Sequence, residues 1–169
     1  MTHPIMAFGG AIAQSYQQFQ ALPPFPQDGD GSSLQARDGQ VIEAMLPLLQ
    51  WAYEHYYTVE TQGLEHVPNE PILMVGSHNG GLGAPDMFML MYAWFRQFGT
   101  ERPAYGLMNP KMWTGYPDLA KLAARTGAVR AHPKIAIAAL KANASVLVYP
   151  GGARDVFRHH RLRHHIFLN

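Results

Sequence analysis

Pro71-Ile72-Leu73-Met74-Val75-Gly76-Ser77-His78-Asn79-Gly80-Gly81-Leu82-Gly83-Ala84-Pro85-Asp86 decides how this chain folds. A short apolar run ends at Gly76, a glycine-rich turn comes next, and Pro85 opens a long apolar segment that reaches Phe98. The apolar run over 72–75 predicts a buried strand. Proline suits the first position of a helix, because the N–H it lacks would have no intrahelical partner there. Met87, Leu90, Met91, Trp94, Phe95 and Phe98 then recur at helical spacing and form one face. The unit is strand, turn, helix, the opening half of a parallel crossover.

The same alternation continues downstream. Strands are predicted over 104–108, 128–130 and 146–149, and helices over 117–125 and from Pro133 to residue 142. Upstream, 59–62 predicts an edge strand. Helical connections of this length imply parallel pairing through right-handed crossovers. The fold class is therefore α/β, with a mostly parallel central sheet and helices on both faces. Asp38 is a helix N-cap, followed by an apolar face of Ile42, Met45, Leu46, Leu49, Tyr53 and Tyr56. Pro47 removes a donor, so this helix is expected to start late or kink there. Trp51, Tyr53, Tyr56 and Tyr57 suit either core packing or a membrane interface. Residues 1–37 carry Leu22-Pro23-Pro24-Phe25-Pro26 and Asp28-Gly29-Asp30-Gly31, a density of breakers that predicts a flexible tail. The domain is expected to occupy 38–169.

Composition excludes several classes. With 169 residues and a net charge of +1, nothing marks nucleic acid as a partner. The absence of cysteine excludes disulfides, thiolate zinc sites and a cysteine nucleophile. No apolar run approaches the roughly 20 residues of a membrane span, so membrane contact would be peripheral. A cytoplasmic location is expected.

Two segments can carry chemistry. His78 leaves the carboxyl end of a strand, where open parallel sheets bind ligands. A neutral imidazole can take a proton from an alcohol, and Asp86 can hold its other nitrogen. Asn79, Gly80 and Gly81 bend the chain beside it. The plainer reading makes His78 a turn residue and Asp86 a helix cap. The second segment is Val148-Tyr149-Pro150-Gly151-Gly152-Ala153-Arg154-Asp155, which also leaves a strand end. Gly151, Gly152 and Ala153 allow close approach to a ligand, and Arg154 offers a fork of donors for phosphate or carboxylate. Its plainer reading is a strand-to-helix turn. His160 and His164 would share a helical face, but without further ligands they read as a basic segment that meets anionic headgroups. No metal site is expected.

Together the two segments resemble the glycerolipid acyltransferase superfamily, typified by bacterial lysophosphatidate acyltransferases. That family carries a His-(four residues)-Asp signature after one strand and a Phe-Pro-Glu-Gly-Thr-Arg-type signature after another. Here His78 and Asp86 are separated by seven residues. Tyr149-Pro150-Gly151-Gly152-Ala153-Arg154 matches the second signature, with Gly151 in place of the glutamate. It is similar to the branch that includes diacylglycerol acyltransferases and phytyl ester synthases. Val59-Glu60-Thr61-Gln62-Gly63-Leu64-Glu65-His66-Val67-Pro68 looks like the family's lead-in, and the likeness covers about residues 41–168.

The resemblance implies transfer of a fatty acyl group from acyl-CoA or acyl-carrier protein to a lipid hydroxyl at the inner face of a membrane, with no cofactor. His78 would be the general base and Asp86 its orienting carboxylate. Asn79, Gly80, Gly81, Gly151, Gly152, Ala153 and Arg154 would bind substrate. Arg130, in Gly127-Ala128-Val129-Arg130, would stand in for the family's middle arginine. The missing glutamate implies a less charged acceptor, such as diacylglycerol or a long-chain alcohol. The family continues past the glycine-arginine motif, so the chain is expected to be truncated at its C-terminus. The alternatives are an ester or thioester hydrolase using the same pair, and a truncated, non-catalytic module that binds lipid or acyl-CoA.

Overall fold

The computed structural model describes residues 4–22, 30–162, 164, 165 and 167. Among them, four strands form one all-parallel sheet: β1 (Leu73–Val75), β2 (Ala104–Met108), β3 (Ala128–Arg130) and β4 (Ser145–Val148). Their order across the sheet is β1-β4-β2-β3. The helices are α1 (Pro4–Gln20), α2 (Gly39–Trp51), α3 (Pro85–Phe98), α4 (Pro110–Gly115), α5 (Pro117–Arg125), α6 (Pro133–Lys141) and α7 (Ala153–Val156).

The order explains the layers. The chain moves in one direction across the sheet from β1 to β2 to β3, and returns from β3 to β4. Right-handed crossovers place helices on one face for the first direction and on the other for the return. Accordingly Met91, Trp94 and Phe95 of α3, with Ile42 of α2, bury Ala104 and Leu147. Ala139 of α6 buries Tyr105 and Val146, the alternate residues of the same strands, together with Val129 of β3. The α/β class read from the sequence is the class observed.

Asp38 ties the start of α2 to the end of α5. Its carboxylate accepts the N–H groups of Gln40 (2.9 Å) and Val41, and the guanidinium of Arg125 donates to its other oxygen. Its own N–H donates to the Arg125 carbonyl at 2.8 Å. Burial raises the Asp38 carboxyl, but the Arg125 and N–H hydrogen bonds outweigh it and hold the group below its ordinary range.

Four expectations change. First, residues 1–37 are not all tail: α1 packs on α2, with the Phe8 and Trp51 rings 4.4 Å apart. Residues 30–37 line the sheet, where Tyr105 Oη donates to the Leu34 carbonyl and Arg130 N–H to that of Gly31. The proline-rich 23–29 lies outside the described residues. Second, α2 runs through Pro47 and ends in a π turn, Ala52–Tyr56. Third, 59–62 forms no strand. Thr61 Oγ1 pairs with the Tyr53 hydroxyl at 2.6 Å, and Val59 packs over α3 instead. Fourth, β1 is only half buried. Leu73 and Val75 are 51% and 63% exposed, because β1 is the edge strand and Ala139 of α6 packs over β4, β2 and β3.

Replacing Asp38 by alanine removes a cap and leaves Arg125, 7% exposed, without this carboxylate. The variant should be less stable at pH 7 by about 2–4 kcal/mol in urea melts. Because the folded-state pKa is depressed, the parent's advantage is full above the ordinary carboxylate range. It should shrink as pH falls below about 4 and through the folded value.

Candidate active site

Pairing of β1 with β4 builds the site. Val75 stands opposite Val148, and Gly76 N–H continues the ladder to the Val148 carbonyl at 3.0 Å. The two chains therefore leave the sheet side by side at the carboxyl ends of their strands. One enters the His78 turn, the other the Gly151-Gly152 turn.

His78 and Asp86 meet. Nδ1 of His78 lies 2.8 Å from Oδ2 of Asp86, and the two side chains are 19% and 20% exposed. The same carboxylate oxygen accepts Asn79 N–H at 2.9 Å. A carboxylate at Nδ1 favours the tautomer whose proton sits there, which leaves Nε2 with its lone pair. No group among the described residues hydrogen-bonds Nε2. The turn reaches α3 through a 3₁₀ segment, Gly81–Gly83, and through Ala84, which adopts the left-handed conformation at φ 47°. Asp86 lies in the first turn of α3, where exposed N–H groups favour a negative charge.

Tyr149 forms the floor under the imidazole. The rings stack with centroids 4.9 Å apart and 18° between planes. A side chain at Gly76 would put its Cβ 2.6 Å from the tyrosine ring, so glycine at the end of β1 leaves the ring its place. Burial pushes the Tyr149 phenol well above its ordinary range, and the Asp86 carboxylate adds to this. The phenol is therefore neutral near pH 7.

The remaining candidates divide into two groups. Gly151 and Gly152 form the turn beside His78, with Gly152 N–H donating to the Tyr149 carbonyl at 3.0 Å. Ala153 and Arg154 begin α7 on its exposed side, and the Arg154 guanidinium lies 4.8 Å from the Phe167 ring centre. Asn79, Gly80 and Gly81 line the turn itself. Arg130 stands apart. It ends β3, at the opposite edge of the sheet, three strand spacings or on the order of 14 Å from β1. Its Nε donates to the Asp30 carbonyl at 3.0 Å. The structure does not bring it to His78.

Asp155, Arg158 and Ser77 join the site, although sequence reasoning does not single them out. Asp155 Oδ2 accepts His78 N–H at 3.2 Å and Ser77 Oγ at 3.3 Å, and Arg158 donates to Oδ1 at 2.6 Å. The i, i+3 spacing of Asp155 and Arg158 is the one local signal of this group.

A small apolar cavity of about 40 Å³ lies between α2, α3, α5 and the sheet. Met45 and Leu49 of α2, Met87, Phe88 and Met91 of α3, and Gly106 of β2 are among its walls. Met87 directly follows Asp86.

No protein-family model, curated protein or solved structure matches this chain.

A Cβ at Gly80 would stand 2.3 Å from Oδ1 of Asp86. The Gly80→Ala variant should therefore push the carboxylate off the imidazole. The expected result is loss of the downfield Nδ1 proton resonance of His78 with helix content unchanged by circular dichroism. Retention of that resonance would show that the pair does not depend on this close approach.

Proposed function

We propose that the chain is an acyltransferase of the glycerolipid type, moving a fatty acyl group from acyl-CoA or acyl-carrier protein to a lipid hydroxyl. The observation that carries the reading is the His78–Asp86 pair at 2.8 Å, set at a strand end beside a glycine turn. In this mechanism Nε2 of His78 takes the hydroxyl proton as the alcohol oxygen bonds to the thioester carbonyl carbon. Asp86 stabilises the imidazolium. The tetrahedral oxyanion collapses, the C–S bond breaks, and the thiolate recovers the proton from His78.

Two features support the lipid side of the reading. In the family the chain resembles, a glutamate stands at the position of Gly151, and its absence favours a less charged acceptor such as diacylglycerol or a long-chain alcohol. Helix α1 has no charged residue and presents Ile5, Met6 and Tyr16, each more than 60% exposed, with Tyr56 and Tyr57 exposed on the element after α2. Such a surface suits a helix lying in the bilayer interface. No helix among the described residues is long and apolar enough to cross a membrane. We place the enzyme at the inner face of the membrane as a peripheral protein.

His78→Ala should lower acyl transfer from acyl-CoA to diacylglycerol or a long-chain alcohol by at least about 100-fold while acyl-CoA binding persists. Parent-like transfer by that variant would end the proposal. Asp86→Asn should cost less, because it disturbs tautomer and orientation while the base remains. Release of free CoA without any acceptor, also lost in His78→Ala, would instead assign the pair to a hydrolase.

A further inference from the structure

We propose that Asp155 is the positioning residue of the His78 base: seated on Gly151 and paired with Arg158, it holds the backbone of the His78 turn. The role in catalysis rests on the acyl-transfer reading; the role in placement does not. Asp155 is 4% exposed. A carboxylate this deep is costly unless charge and hydrogen bonds compensate it. Its compensation is specific. Arg158 supplies the charge, and two of the remaining donors, His78 N–H and Ser77 Oγ, come from the loop after β1, 77 and 78 residues away. Arg158 also donates to Ser77 Oγ at 3.1 Å, which closes the group.

An i, i+3 pair serving only α7 would need neither the burial nor the distant donors. Asp86 and Asp155 instead divide the work on one turn. Asp86 holds the imidazole at Nδ1 and the N–H of Asn79, while Asp155 holds the N–H of His78. Consecutive backbone N–H groups are thus fixed by carboxylates from two different elements. With the backbone held, only the two side-chain torsions of His78 remain, and Asp86 and the Tyr149 ring set those. Gly151 is part of the device. A Cβ there would lie 2.3–2.5 Å from the carboxyl atoms of Asp155, so no other residue lets the carboxylate sit where it does.

The test uses the full chain and four variants: Asp155→Ala, Asp155→Asn, Gly151→Ala, and Gly151→Ala combined with Asp155→Ala. Two readouts are followed, the backbone amide signal of His78 by NMR and the kcat and KM of acyl transfer. Asp155→Ala should move the His78 amide signal and lower kcat about 10- to 100-fold, the cost of a misplaced group, with KM nearly unchanged. Asp155→Asn keeps a carbonyl acceptor and should restore most of the amide shift and part of the rate. Gly151→Ala should reproduce Asp155→Ala, and in its background should add less than about twofold. A His78 amide that stays in place in folded Asp155→Ala would overturn the proposal, as would full multiplication of the two losses. If Asp155→Ala fails to fold, Gly151→Ala, which keeps both charges, decides by the same amide signal. A parent without acyl transfer would sink the functional reading alone. The amide signal would then still decide whether Asp155 places His78.

Discussion

The pairing of Val75 with Val148 is the constraint on which the site depends. These strands are separated by two other strands in sequence and adjacent in space. Parallel ladders set their ends level, so the residues just past each strand arrive at the same edge. Shifting β4 by one residue would turn Val146 and Leu147 to the wrong faces and move Tyr149 away from His78. The hydrophobic pattern of β4, buried on both faces, thereby fixes the placement of His78 over Tyr149 without itself touching the imidazole. Ser145 helps from the other end, its buried hydroxyl accepting Ile72 N–H at 3.2 Å.

Charge is distributed around the imidazole with the same economy. Two carboxylates hold the His78 turn, yet their surroundings differ. Burial raises the Asp155 carboxyl, and the hydrogen bonds from Arg158 and His78 N–H more than reverse this, leaving it below its ordinary range. Its charge is neutralised within the fold. Among the described residues Asp86 has no such cation; its neighbours there are the imidazole and the Asn79 N–H, and its buried Oδ1 has no hydrogen-bond partner. A positive charge on His78 is the natural complement to that carboxylate. One carboxylate maintains the scaffold, and the other is placed to respond when the imidazole gains a proton.

The interior elements are legible in the sequence because local and tertiary signals agree there. The bounds expected for 104–108, 128–130, 85–98 and 117–125 are those of β2, β3, α3 and α5, since each is bounded by glycine or proline and buries the face its pattern predicts. The edges are less legible. The apolar run at 72–75 reads as buried, but burial of Leu73 and Val75 would require a helix over the edge strand, and α6 packs elsewhere. The segment 59–62 has strand-like residues whose backbone finds no ladder; Val59 packs on α3 and Thr61 pairs with Tyr53 instead. Breakers after Leu22 suggest a tail, yet α1 packs on α2, with Phe8 against Trp51, a contact that no local pattern announces.

His78 and the glycine turn after β4 can be named from sequence because each stands just past a strand end, where α/β sheets bind ligands, and Asp86 because it opens the helix that follows the His78 turn. Local pattern determined the α/β class, the strand–turn–helix unit and the candidate pair of His78 and Asp86. Only the tertiary structure decided that Tyr149 lies beneath the imidazole, that Asp155 and Arg158 hold its backbone, and that Arg130 stands at the far edge. The physical reason is range: periodicity and turn chemistry act over a few residues, whereas strand order is set by how crossovers bury both faces of the sheet.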